Sequence, residues 1–426
     1  MLYGKSGLIS PDTESYVAPA IELAKYGTFS VDGIPETTRT PGYPLFLAMF
    51  ITLPQWEFFV VTAQCFITGL MATLTYKLAE SLAGTRAACF AALIFTASLL
   101  TVIYTSSILT ERLASFFIAT LCMAIFKFLE RPGVAPVLLA GAASVCAAFV
   151  RPAAMFMPYC VIVFIISCGI AKKINISRIE AFIVVFSIIS IVPIKLWEHR
   201  NLAASGYKGF SSISAENLYF YNAAGVIAKL ENKSFFDAQT ELGYYDNEIY
   251  KAKHPEQKGL SQGEVFNLMA EEGKEIIKNN LYIYSKVHLT GMLFAVITPG
   301  TNNLVRKSWV ENAPGFRRIK HGRSMPSFII ALMKEMPLTF LALAASAILL
   351  VFIYLLSAAG LAACIKTHAL ETTFLALTAA YFIIIAGGPA ATDRFRDPFS
   401  FIIAIWAGIG VEQLKQGIVK NYAQNQ

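Results

Sequence analysis

Asp12, Glu111, Arg39, Arg151, Arg200, Arg394 and Arg396 stand at the edges of long apolar runs, in a chain that otherwise keeps charge out of those runs. Charge at a membrane edge is costly, so each such residue is a functional candidate. Their types suit one chemistry. A carboxylate can take a proton as a general base, and a guanidinium can grip phosphate through two parallel hydrogen bonds. Together they fit transfer of a group away from a lipid phosphate. Glu14, Arg112, Glu198, His199, Asp393 and Asp397 fall at the same ends of the runs. Each candidate also has a plain structural reading. Asp12 precedes a helical pattern (Val17, Ala20, Ile21, Ala24) and reads as an N-cap. Arg39 and Tyr43 lie in Arg-Thr-Pro-Gly-Tyr-Pro, which reads as a turn and helix start or as a pair beside the substrate. Glu111 reads as a first-turn acid on a helix dipole. Arg151 reads as a snorkelling arginine, and residues 393–398 as a paired, solvated loop.

The elements that position these residues are helices across a bilayer. Of 426 residues, 56% are hydrophobic and 15% are charged, and 32 are Phe. A soluble domain carries about 25% charged residues, so an ordinary cytosolic enzyme, a disordered chain and a coiled coil are excluded. A spanning helix takes roughly 17–25 apolar residues. Nine segments qualify: 58–76, 87–104, 113–129, 135–150, 153–170, 181–197, 338–362, 372–388 and 399–414. Residues 284–298 are apolar but short and read as an interfacial or re-entrant helix, for about nine to ten spans in all. The expected layout is one membrane domain over residues 1–426. Residues 1–55 form an external loop with juxtamembrane helices, 56–197 hold six spans, 198–337 form external loops, 338–414 hold three spans, and 415–426 form a cytoplasmic tail.

Orientation follows from alternation. Arg86, Lys127, Arg131, Lys172, Lys173, Arg178, Lys366, Lys415 and Lys420 fall on one face, which the positive-inside rule makes cytoplasmic. The candidate residues then lie outside. The amino end starts outside with no span before it, so an upstream transmembrane helix is expected to be missing from the chain. The loop 299–337 carries Arg306, Lys307, Arg317, Arg318, Lys320 and Arg323, and reads either as a basic shelf for an anionic headgroup or phosphate or, with 284–298 as a true span, as a cytoplasmic loop. Tyr207, Tyr219, Tyr221, Tyr244 and Tyr245 offer rings that stack on sugars or pack at the membrane surface.

Other chemistries find little support. The seven Cys lie inside apolar runs without metal or disulfide spacing. There is no HExxH, paired His or DxD, so no metal ligand is assigned, and no cofactor is certain; a divalent cation stays open. Phosphate-binding glycine loops and GxSxG are absent, and nothing points to nucleic acid. A transporter or flippase of lipid-linked sugars, and a non-catalytic envelope assembly protein, remain as alternatives.

Order and side bring out a resemblance. Pro11-Asp12 with Tyr16, then Leu23-Ala24 and Gly27, then Arg39-Thr40-Pro41-Gly42-Tyr43-Pro44-Leu45-Phe46-Leu47-Ala48 resemble the GT-C glycosyltransferases, in the style of bacterial protein mannosyltransferase-like and aminoarabinose transferase-like enzymes. Thr110-Glu111-Arg112-Leu113, Arg151-Pro152, Trp197 with Arg200-Asn201, and Arg394-Phe395-Arg396-Asp397-Pro398 look like further elements of the family in its order. The resemblance implies an all-α polytopic GT-C fold and a glycosyltransferase in a bacterial inner (plasma) membrane, acting on its periplasmic side. It implies a sugar donor on a polyprenyl phosphate and a lipid, protein or glycan acceptor, as in protein glycosylation or lipopolysaccharide modification. Asp12 is then the catalytic base, and Tyr16, Arg39, Tyr43, Glu111, Arg151, Arg200, Arg394 and Arg396 bind substrate. Inversion at the anomeric carbon is the expected outcome. Phe395 stands where the family usually has Tyr.

Overall fold

The computed structural model describes residues 8–171, 173–299 and 325–424. In chain order the helices are α1 (Thr13–Tyr26), α2 (Gly42–Ala48), α3 (Trp56–Ala97), α4 (Leu99–Ser106), α5 (Glu111–Glu130), α6 (Val134–Val150), α7 (Met157–Ile170) and α8 (Ile176–Ser205). A second set follows: α9 (Ile213–Glu216), α10 (Ala224–Leu230), α11 (Phe235–Leu242), α12 (Asn247–Lys253), α13 (Gln262–Asn279) and α14 (Leu281–Ile297). The last are α15 (Met325–Glu335), α16 (Pro337–Thr367), α17 (Ala369–Ile385) and α18 (Ser400–Gln424).

Every expected span falls on a helix. Among the described residues five helices are long and apolar enough to cross a membrane, within 56–97, 111–130, 152–170, 176–205 and 340–367. Three shorter apolar helices are α6, α14 and α17. The chain is an integral membrane protein. The two expected spans 58–76 and 87–104 share α3, which bends at Gly84 (φ +80°, ψ 176°), a conformation that strains any side chain. The second of them breaks again at Ser98, whose backbone is extended, and resumes as α4. A core of small and aromatic side chains holds the bundle, including Phe95, Phe128, Phe182, Phe186, Phe374 and Phe401.

Two expectations about loops need correction. Residues 198–283 are folded, not an irregular loop. Their helices and a π-helical stretch, Asn217–Ala223, close over a core of Tyr207, Tyr219, Phe220, Tyr250, Phe266 and Met269. Tyr207 and Tyr219 are therefore buried and offer no ring to a sugar, whereas Tyr244 and Tyr245 stay exposed. Residues 299–337 include α15 and the start of α16. The arginines and lysines at 306–323 lie outside the described residues. The apolar piece expected at 284–298 is α14, whose 17 residues reach about 26 Å against a hydrocarbon core of roughly 30 Å. It packs along the segment that leads into α18. His288 Nε2 lies 3.0 Å from the Ile384 carbonyl, and Arg396 Nη1 donates to the carbonyls of Val296 (2.6 Å) and Thr298 (3.0 Å).

Between α1 and α2 the chain forms a small hairpin, β1 (Ser30–Val31) and β2 (Ile34–Pro35), paired antiparallel. Asp32 (φ +52°) and Gly33 (φ +75°) make its turn, the residue pair that two-residue hairpins favour.

Candidate active site

Asp12 occupies the N-cap position of α1, yet its side chain makes no capping hydrogen bond. The carboxylate points instead to Arg394, whose Nη1 donates to Oδ2, and Arg39 Nη2 stands 3.8 Å from Oδ1. Arg394 also donates from Nε to Glu111 Oε1. The same oxygen accepts from Arg151 Nη1 at 2.8 Å. Asp12, Glu111, Arg39, Arg151 and Arg394 thus form one ion cluster drawn from five separate parts of the chain. Three guanidinium groups and two carboxylates meet in it. Burial raises the pKa of Asp12, but Arg394 and then Arg39 outweigh it and hold the group below its ordinary value of 3.8. Burial works against the charge on Arg394, but Glu111 and Asp12 hold it firmly protonated.

Local structure explains how these residues meet. Thr13 Oγ1 donates to the Ile108 carbonyl at 3.0 Å, and Ile108 N donates to the Leu8 carbonyl at 3.0 Å. The start of α1 is thereby stitched to the turn before α5, which brings Asp12 beside Glu111. Glu111 is fully buried at the first position of α5, and its Oε2 makes no hydrogen bond. Arg151 ends α6 and turns inward to Glu111 rather than snorkelling, with its guanidinium carbon 5.6 Å from the Phe395 ring centre. Residues 393–399 form a largely buried 3₁₀-helix, not a solvated loop, and Arg394 projects from it to both carboxylates.

Arg39 is fixed from three sides. Its Nε donates to Ser15 Oγ at 2.9 Å, its Nη1 donates to Tyr16 Oη at 3.2 Å, and its guanidinium sits 4.5 Å over the Tyr16 ring. Tyr43 packs edge-on to Tyr16 at 5.3 Å and donates to Gln64 Oε1 at 2.9 Å. Tyr43 is fully buried, so it supports the site from behind. The turn at Gly42 allows this. A Cβ there would lie 2.6 Å from the Phe149 carbonyl oxygen, so only glycine lets α2 press against the end of α6.

Two expected substrate-binding arginines are engaged in scaffolding, away from this cluster. Arg200 donates to the carbonyls of Glu36 (2.6 Å) and Phe29 (2.9 Å) and lies 4.9 Å over Trp197. It pins the hairpin to α8. Arg396 caps the last carbonyls of α14 and is 3% exposed. The sequence gives no sign of this division, because all these arginines sit at similar ends of apolar runs. It also misses three supporting contacts. Arg112 and Asp397 form an ion pair with no solvent exposure, and Ser115 Oγ donates to Asp397 Oδ2 at 2.8 Å. Successive residues of α5, Glu111 and Arg112, thus grip two residues of the 3₁₀-helix, Arg394 and Asp397. Gln64 donates to the carbonyls of Thr105 (2.9 Å) and Ser107 (2.8 Å). A polar side chain inside the first span was the available signal for it.

Among the described residues no group of three or more His, Cys, Asp and Glu could hold a metal ion. The charge on Asp12 and Glu111 is balanced by guanidinium groups instead.

By sequence, no family model matches the chain and no curated protein is similar to it. Solved structures are similar in three dimensions. The apo oligosaccharyltransferase of Archaeoglobus fulgidus superposes with a TM-score of 0.53 at 13% identity, over 98% of this chain and 48% of that one. The archaeal oligosaccharyltransferase AglB from the same organism, in complex with an inhibitory peptide and a dolichol-phosphate, gives 0.49 at 10% identity, over 97% and 47%. ArnT from Cupriavidus metallidurans, in the apo state, gives 0.39 at 12% identity, over 95% and 72%. The chain spans about half the length of the oligosaccharyltransferases it matches. The first superposition shows the fold alone: this chain is a polytopic helical membrane protein whose fold is similar to that of the oligosaccharyltransferase.

Proposed function

We propose that the chain is a membrane glycosyltransferase that moves a sugar from a polyprenyl-phosphate carrier to a hydroxyl of a lipid, protein or glycan acceptor. The observation that carries this reading is the pairing of Asp12 with Arg394 inside a cluster of three guanidinium groups and two carboxylates. An incoming phosphate competes with Asp12 for Arg394, and Arg39 and Arg151 add further charge beside it. Asp12, released in part from Arg394, regains basicity and accepts the acceptor's proton as its oxygen attacks the anomeric carbon. The bond from that carbon to the phosphate oxygen breaks, and the lipid phosphate leaves with its charge neutralised by the guanidinium groups. Direct displacement of this kind inverts the anomeric centre.

The charge distribution supports a site on the extracytoplasmic side. α5 carries Glu111 at one end and Lys127 at the other, and Arg86, Arg131, Arg178 and Lys366 share the Lys127 end. The same reading sets the chain in a bacterial inner membrane with the cluster facing the periplasm. The test is to incubate the purified protein with a panel of polyprenyl-phosphate sugars and to measure free lipid phosphate. Release by the wild type and none by Asp12→Ala is the expected result. Movement of the lipid-linked sugar across liposomes with no glycosidic bond cleaved would replace this reading with that of a flippase.

A further inference from the structure

Arg200, near the end of α8, closes the base of the hairpin that precedes Arg39. Phe29 and Glu36 are paired there, with Glu36 N donating to the Phe29 carbonyl at 3.1 Å. The Arg200 guanidinium adds a bond to each of them. Its Nη2 donates to the Phe29 carbonyl at 2.9 Å and its Nη1 to the Glu36 carbonyl at 2.6 Å. The group is steadied by Trp197, whose ring centre lies 4.9 Å away, and by Asn201 Oδ1, which accepts from Nη1 at 3.1 Å. Gripping two carbonyls at once takes the planar fork of an arginine, because a lysine offers only a point charge.

Asn201, the next residue, is fully buried and holds a second segment. Its Nδ2 donates to the carbonyls of Gly209 (2.9 Å) and Phe210 (3.0 Å). The two residues that follow grip the stretch before α2. Ser211 Oγ donates to the Thr38 carbonyl at 2.6 Å, and Ser212 N donates to the Thr37 carbonyl at 2.8 Å. Two consecutive residues of α8 therefore hold residues 29–38 twice over, Arg200 directly and Asn201 through the 209–212 segment.

Both sets of contacts end at Arg39. Glu36 Oε1 accepts from the backbone N of Arg39 at 2.9 Å and also from that of Thr38. The turn held by Arg200 thus fixes the backbone from which the Arg39 side chain starts out toward Asp12. Among the described residues Arg200 makes no ion pair with Asp12 or Glu111, whose partners are Arg39, Arg151 and Arg394. We infer that Arg200 and Asn201 are positioning residues. They place Arg39 beside Asp12 and so set the affinity of the site for carrier phosphate, which neither of them touches. The inference rests on the carrier reading of Arg39 given above.

The test is a double-mutant cycle read by binding. The full chain in detergent is titrated with polyprenyl phosphate, and Kd is taken for the wild type, Arg200→Lys, Glu36→Ala and Arg39→Ala, and for each of the first two variants combined with Arg39→Ala. Glu36→Ala keeps the carbonyl that Arg200 grips and changes a partly exposed side chain, so it is expected to fold even if Arg200→Lys does not. Arg39→Ala is expected to raise Kd by about tenfold or more, the scale of a lost charge-assisted hydrogen bond. Arg200→Lys and Glu36→Ala are each expected to raise it by about three- to tenfold, a part of the same loss. In the Arg39→Ala background both are expected to change nothing further, because members of one network are not additive. A purely structural role would lower Tm and leave the Kd of the folded protein alone, which would overturn the inference. So would an undiminished effect of Arg200→Lys in the Arg39→Ala background, the sign of an arginine that binds the carrier itself, or a wild type that binds no polyprenyl phosphate. A protein that binds the carrier in the expected order, yet releases lipid phosphate from no polyprenyl-phosphate sugar, would bring down the transfer reading alone.

Discussion

Asp12 is a carboxylate at a helix start that does not cap the helix. Its position is that of an N-cap, but the capping bond is absent and the charge goes to Arg394 and Arg39. The consequence is measurable. A carboxylate held below 3.8 stays ionised as pH falls, and its contribution is lost only when pH drops through that lowered value. A pH profile of kcat/KM reports the free enzyme, so its acid limb from Asp12 is expected below pH 3.8. A limb centred near pH 6 would mean that a different group is the base. At this scale the sequence was informative about type and uninformative about partner. Glu111 and Arg151 read as well as a dipole acid and a snorkelling arginine as they did as site residues, and the sequence gives no sign of their 2.8 Å contact. Arg200 and Arg396 carry the same kind of signal as Arg394. They differ in which carbonyl groups lie within reach, and that is a property of the tertiary fold.

Two contacts between elements hold the cluster in register, and each gives a prediction. α2 meets the end of α6 at Gly42, where a methyl group would enter the Phe149 backbone. Gly42→Ala is expected to cost about 1–3 kcal/mol, as overpacking does, and to move Arg39 away from Asp12. Thermal unfolding in detergent and donor KM should both respond; an unchanged KM would separate Arg39 from the carrier. The start of α5 grips the 3₁₀-helix through the buried Arg112–Asp397 pair. Asp397→Asn leaves Arg112 buried without a counter-charge, a loss of about 3–5 kcal/mol. The apolar double variant Arg112→Met, Asp397→Leu is expected to recover most of that stability. A Tm unaltered by Asp397→Asn would show that the pair holds nothing together. Element positions were legible wherever apolar runs are long, which is why every expected span lies on a helix. Residues 198–283 were opaque because their helices are short and polar. Their core is made from scattered Tyr and Phe that hydropathy does not register.

At the scale of the whole molecule, the proposed orientation puts Arg86, Lys127, Arg131, Arg178 and Lys366 at the cytoplasmic end of the bundle and the ion cluster at the other. Orientation can be checked with single cysteines at exposed positions of the two ends, Lys258→Cys and Arg131→Cys. An impermeant maleimide added to intact cells is expected to label the first and spare the second. The opposite pattern would turn the site to the cytoplasm and remove the basis for an extracytoplasmic transferase. The GT-C resemblance rested on short motifs in order. The superposition over 98% of the chain agrees with the expected helical fold, although the two sequences share only 13% identity. Helix packing tolerates wide change in apolar side chains, so the fold outlasts the sequence signal.

The most direct measurement compares wild type, Asp12→Asn and Asp12→Glu for release of lipid phosphate from a polyprenyl-phosphate sugar. Asp12→Asn removes the base but keeps the shape, and a fall of at least about 100-fold is expected at unchanged protein level. Asp12→Glu moves the carboxylate by one methylene and is expected to lose most activity, because a base must sit within hydrogen-bond reach of its proton. Full release by Asp12→Asn would contradict the assignment of Asp12 as the base.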